Sequence, residues 1–184
     1  MSRPLRLLTA FLFVMLLVLL GVYAGRWQPA IDRVLQPAEP PAETVPVRLF
    51  FADGDAQCLI AEVRHLPAGP DLPLRALEEL GRGPQSEALV GTIPRGARPL
   101  SVVIEDGLAV VDYSMELRTN HPGGSAGELL TAYAIVGTLS ALEGVEAVQI
   151  LLEGRVIDSL VGHLIFSEPM TVSEEALQSG RICW

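Results

Sequence analysis

The chain has 184 residues, is 49% hydrophobic and carries a formal charge of −9, so it has room for one domain with a real core. All 13 cationic residues are Arg, which excludes Schiff-base chemistry and a P-loop lysine. An acidic chain also lacks the clustered cations that neutralise phosphates, so nucleic acid is not an expected partner.

Leu7 to Ala24 is an uncharged, Leu-rich run preceded by Arg3 and Arg6. A membrane-spanning helix needs about 20 apolar residues, and the basic flank predicts an N-terminus left in the cytoplasm with the remainder exported. Two readings compete. Val22-Tyr23-Ala24 offers a cleavage site for a signal peptide, yet the run exceeds the ~7–15 residues of the usual signal-peptide core. Tyr23, Arg26 and Trp27 suit an outer interface, so a retained transmembrane anchor over 1–27 is the preferred reading. Residues 28–46 follow as a linker, with Pro29, Pro37, Pro40, Pro41 and Pro46 favouring extended chain.

The globular part, 47–170, alternates strand and helix signals. Val47–Phe51 and Leu59–His65 read as strands around an Asp53-Gly54-Asp55 turn. Leu74, Leu77 and Leu80 form one helical stripe, with Pro73 at its start and Gly81 or Gly83 at its stop. The connection from Leu80 to Leu100 is dense in Gly and Pro and holds no His, Cys, Lys or Asp, which suits shape rather than chemistry.

Arg98–Glu105 and Leu108–Tyr113 predict a hairpin across Asp106-Gly107. The main helix runs from near Ser125 to near Leu142, with Leu129, Leu130, Tyr133, Val136, Gly137 and Leu139 buried. Glu146–Leu152 and Val156–Leu160 predict a last hairpin across Glu153-Gly154, and 171–184 reads as a tail with a helical turn near Ser173–Gln178. The order ββα-ββα-ββ predicts an α/β (α+β) domain: a small mixed, largely antiparallel sheet with two helices on one face.

Four stretches resemble, in order, the GerMN domain of sporulation and spore-germination proteins. They are Val47–Phe51 with Cys58–Arg64, then Gly83-Pro84, Leu89, Ile93-Pro94 and Gly96, then Val110–Ser114, then Val145–Gly162. The resemblance covers about Val45 to Met170. It implies a fold similar to ring-building modules of spore and secretion assemblies, and it supplies no catalytic residue to carry over. Many members of that family look like lipoproteins; here no Cys follows the apolar run, so lipid attachment is not expected.

Candidate chemistry is sparse. Gly123-Gly124-Ser125-Ala126-Gly127 matches the G-x-S-x-G nucleophile elbow, and Asp158 and His163 follow in hydrolase order. No strand feeds directly into that turn, however, and Asp158 and His163 are close along one hairpin edge. Ser125 and Glu128 are better explained as a capping box, worth ~1 kcal/mol. His65, His121 and His163 lack the close pairs of a zinc site.

Cys58 and Cys183 can pair in an oxidising compartment. A strand position for one and a chain end for the other favour a buried free Cys58. Arg64, Arg82, Arg95 and Arg98 form a candidate basic patch around the Gly/Pro connection. Asp112 either binds a partner or takes backbone N–H groups at a strand end. Arg82, Arg95, Arg98 and Asp112 are the candidate interaction surface.

The leading expectation is a non-enzymatic, membrane-anchored extracytoplasmic domain without cofactor. Its expected partners are other envelope proteins of sporulation or germination, with self-association included. The alternatives are a cell-wall glycan or peptide binder, a serine hydrolase using Ser125, and secretion after cleavage near Ala24.

Overall fold

The computed structural model describes residues 12–23 and 43–184. The chain divides into two compact units, 1–41 and 42–184. In the first, residues 12–23 form helix α1, whose Leu, Val and Phe side chains are exposed. Among the described residues no helix is long and apolar enough to cross a membrane. The rest of the apolar run, the cleavage site at Ala24 and nearly all of the linker lie outside the described residues.

The second unit begins with β1 (Thr44–Asp53) and β2 (Cys58–Pro67), an antiparallel pair, followed by α2 (Leu72–Arg82) and the short β3 (Leu89–Val90). A hairpin of β4 (Pro99–Glu105) and β5 (Leu108–Tyr113) comes next, then α3 (Glu116–Thr119) and α4 (Ser125–Ser140). The chain ends with β6 (Ala147–Leu152), β7 (Arg155–Val156), α5 (Glu174–Ser179) and β8 (Arg181–Cys183).

These strands make two four-stranded sheets, β3-β1-β2-β8 and β4-β5-β6-β7, where the sequence predicts one. The cause is α4. It carries Leu130, Ala132, Ala134, Ile135, Val136 and Leu139, all buried, around its whole circumference. A helix apolar on every side must be covered on every side, and α4 packs against both β1 and β6. The expected arrangement of helices on one face is therefore corrected: α4 touches both sheets. As a crossover helix it also returns the chain so that β6 lies parallel to β5, the one connection type that permits parallel neighbours.

Gly137 marks the tightest approach of α4 to the first sheet. A Cβ there would sit 2.5 Å from Ile182 Cδ1 and 3.2 Å from the Phe50 ring. Beside it, the Phe50 N–H donates to Thr138 Oγ1 at 3.2 Å. The two turns read from sequence are present, with positive φ at Asp106 (47°), Gly107 (83°), Glu153 (48°) and Gly154 (73°), as two-residue hairpins of right-twisted strands require.

The C-terminal residues carry regular structure rather than a loose tail. Ser173 Oγ caps α5 by accepting from the Ala176 N–H at 3.3 Å, Gly180 closes it in the left-handed conformation, and Arg48 of β1 donates to the Leu177 carbonyl. Strand β8 then pairs with β2 and drops Ile182 into the core. Its register sets Cys183 directly opposite Cys58 with Cα atoms 4.3 Å apart, and the two are disulfide-bonded. The expectation of a free Cys58 is overturned, because the pairing of β8 removes the assumed disorder of the chain end.

Candidate functional site

The Gly/Pro connection is held from within by β2. Arg64 is buried, with 7% of its side chain exposed. It donates to Glu62 Oε1 (2.7 Å), to Glu79 Oε2 (2.9 Å) and to the Gly83 carbonyl (2.5 Å), and its guanidinium lies 5.5 Å from the Phe51 ring centre. Glu62 accepts from the N–H groups of Gln85 (3.0 Å) and Ser86 (3.0 Å). Burial works to raise the Glu62 carboxyl, but those N–H groups and Arg64 outweigh it and hold it below its ordinary value. Arg64 is thus an internal strut and drops out of the expected basic patch.

What faces outward beside this connection is a groove of about 430 Å³ lined by Glu78, Gly81 and Arg82 of α2 and by Gly96, Ala97, Arg98 and Pro99. Arg82 also donates to Glu79 on its own helix. Arg98 is positioned through its backbone: its N–H donates to Ser114 Oγ at 3.1 Å, and its carbonyl accepts from the Ser114 N–H at 2.9 Å. The fold therefore brings Arg82 and Arg98 together with one carboxylate, Glu78. Arg95 is exposed next to the groove but outside its lining, and its carbonyl accepts from Asn120 at 2.7 Å. Asp112 is not part of this surface; its Oδ1 accepts from the Gly154 N–H at 2.8 Å and fixes the β6–β7 turn.

Ser125 and His163 line a second, smaller hollow of about 250 Å³ with Ala126, Leu129, Leu164 and Trp184. Asp158 is not in its lining, and no hydrogen bond among the described residues joins Ser125 to His163, so the three do not form a triad. The capping box is also overturned. The residue before α4 is Gly124, and no side chain caps the helix.

Glu128 does not reach back to the helix start; it is fully buried and gathers the loop after β7. Its Oε1 accepts from Ser159 Oγ (2.6 Å), Leu160 N–H (2.8 Å) and Val161 N–H (3.0 Å), and its Oε2 from His163 N–H (2.8 Å) and Leu164 N–H (3.2 Å). Burial pushes this carboxyl upward, and the donors from Ser159, Val161, His163 and Leu160 overcome that and keep it ionised below its ordinary value.

The three histidines stand on separate elements. His65 is exposed on β2. His121 accepts from the Gly123 N–H through Nδ1 (3.0 Å), which leaves Nε2 to donate to Thr131 Oγ1 (3.2 Å). No group of three His, Cys, Asp or Glu among the described residues could hold a metal ion.

The model of the Germane family, described as sporulation and spore germination, matches residues 48–158. The chain belongs to the Germane family. Solved structures agree with the fold. The first GerMN domain of the sporulation protein GerM from Bacillus subtilis superposes with a TM-score of 0.60 at 21% identity, over 70% of this chain and 98% of that one. The tandem GerMN domains of the same protein give the same score and identity, and this chain spans 46% of their length. A candidate lipoprotein from Clostridium perfringens matches with a TM-score of 0.52 at 25% identity, over 80% and 99% of the two chains. No curated protein matches significantly.

Within the Germane domain, sequence reasoning missed Glu128 as the organiser of the 159–164 loop. The one available signal was a carboxylate in the first turn of a helix apolar all round, a place where a charge needs partners from elsewhere.

Proposed function

We propose that this Germane domain is a non-enzymatic docking unit, held by its N-terminal segment at the outer face of the cell membrane, that contacts other envelope proteins during sporulation or germination. The observation that carries the reading is the groove between α2 and the 96–99 segment. Buried Arg64 and its partner Glu62 brace the adjoining 83–86 backbone, while Arg82 and Arg98 stand at the groove wall beside Glu78. A concave surface with two guanidinium groups suits a carboxylate-bearing segment of a partner protein. Membership of a sporulation and germination family supplies the process. The Cys58–Cys183 disulfide supports an extracytoplasmic location, since such bonds persist in oxidising compartments.

The test is a photo-crosslinking residue at position 97 of the full-length chain in sporulating cells. A discrete adduct with another envelope protein is expected, and Arg82→Glu should reduce its yield at least several-fold. Absence of any protein adduct throughout sporulation would defeat the reading.

A second reading is favoured by Trp184, which is 48% exposed and stands over the Ser125–His163 hollow, its ring centre 6.3 Å from that of Tyr133. An exposed indole beside a hydroxyl and an imidazole suits a cell-wall glycan or peptide. Retention of the protein on purified peptidoglycan, lost in Trp184→Ala, would support it; passage without retention would remove it.

A further inference from the structure

We propose that strand β4 pairs with β4 of a second copy of this chain, antiparallel, about a two-fold axis at Val102. The inference rests on the docking reading above, shares Arg98 and Pro99 with the rim of that groove, and names the partner.

Among the sheet-edge strands, β3, β7 and β8 have two or three residues each, whereas β4 has seven. Leu100, Val103 and Ile104 on it are 44%, 51% and 36% exposed. Among the described residues α2 touches β4 but no second strand pairs with it, and a long apolar edge whose N–H and C=O groups lack a strand partner is a template for another strand. The two-residue turn makes Glu105–Leu108 a hydrogen-bonded pair, and alternation then turns the backbone groups of Ile104 and Val102 away from β5, toward the free edge.

Self-complementarity picks a second copy over another protein. Register passes from Pro99↔Tyr113 to Ser101↔Asp112, so Leu100 is an extra residue, a bulge. Counting from Val102, one direction reads Val103, Ile104, Glu105. The other reads Ser101, Pro99, Arg98, because the bulge absorbs Leu100. Val103, Glu105, Ser101 and Arg98 fall on one face, and Ile104 and Pro99 on the face that carries buried Tyr113 and Ala109.

A two-fold axis perpendicular to the sheet preserves faces. It therefore sets Val102 opposite Val102, Val103 opposite Ser101, Ile104 opposite Pro99, and Glu105 opposite Arg98, twice. Both Arg98 and Glu105 are exposed. Val102 would exchange both backbone bonds with its copy, and the Ile104 N–H would meet the Pro99 carbonyl, so the missing N–H of Pro99 costs only the reverse bond. Without the bulge, Arg98 and Glu105 would lie on opposite faces and could not meet.

The test uses the full-length chain in detergent. Both native cysteines are already bonded, so a Val102→Cys thiol is the one free thiol. Mild oxidation should give a covalent dimer, whereas Asp55→Cys in the β1–β2 turn should not. Arg98→Glu and Glu105→Arg should each weaken dimerisation about tenfold or more by sedimentation, and the double swap R98E/E105R should restore it. Neither single change touches the core, so folding is not at stake. A monomer at every concentration, or a dimer indifferent to the charge changes, would overturn the pairing. The adduct from position 97 in cells distinguishes the two readings: Glu105→Arg should leave it intact even where it abolishes the dimer.

Discussion

Glu128 has five donors on two oxygens. Four of those donors are backbone N–H groups of the 160–164 segment, which has no sheet partner of its own. Removing the carboxylate orphans them together. A buried donor left unmatched costs about 1–3 kcal/mol, so Glu128→Ala should lower stability by roughly 3–5 kcal/mol by urea unfolding, allowing for partial rehydration of the loop. Glu128→Gln keeps the shape but turns an NH₂ toward donors and should cost about 2 kcal/mol or more.

The pH dependence has a definite sign. Glu128 and Glu62 are both held below the ordinary value of 4.5. Their contribution is therefore complete above about pH 4.5 and is lost as pH falls through the lowered values, because the unfolded chain binds those protons first. The urea midpoint should fall on acidification below that point, and less steeply in Glu128→Gln.

At the scale of elements, the close approach of α4 to β1 and β8 at Gly137 decides how the first sheet is covered. Gly137→Ala puts a methyl against the Phe50 ring and Ile182 Cδ1. Overpacking of this kind costs about 1–3 kcal/mol. Ile182→Val removes the closest atom and should return part of that loss in the double variant, whereas it should destabilise the parent by about 0.5–1.5 kcal/mol.

Strand β8 has only three residues, and the disulfide closes a separation of 125 residues. Cys183→Ser should cost about 2–5 kcal/mol, and hydrogen exchange should then show α5 and β8 opening before the rest of the domain. The helical turn of α5 was readable to within a residue at Ser173–Gln178, but β8 and its pairing with β2 were not. The hairpin turns at Asp106-Gly107 and Glu153-Gly154 were, because positive φ is a local demand that few residues meet. So was the α2 stripe at Leu77 and Leu80. By contrast, an all-apolar α4 has no single face to read, and a three-residue strand has too little alternation to stand out. The partners of Glu128 come from more than thirty positions downstream, beyond any capping-box pattern.

For the whole molecule, the spatial grouping of the candidate residues was legible only in part. Arg82 and Arg98 meet in one groove, while Arg64 and Asp112, equally open to that reading in sequence, are spent on Glu62 and on Gly154. Burial removes Arg64, and a hydrogen bond from the β6–β7 turn occupies Asp112; both are properties of the packed domain. The same packed state gives a topological reporter. The docking of β8 on β2 sets the domain's two cysteines opposite each other, and their bond persists where thiols are oxidised.

If the N-terminal apolar run exports the domain, cells expressing the full chain should yield protein with no thiol open to a maleimide reagent until a reductant is added. A chain lacking residues 1–24 should stay in the reducing cytoplasm and take up two maleimides on denaturation. Two free thiols in the full-length protein, or an intact disulfide in the truncated one, would separate the bond from export. The disulfide would then be an effect of β8 geometry alone.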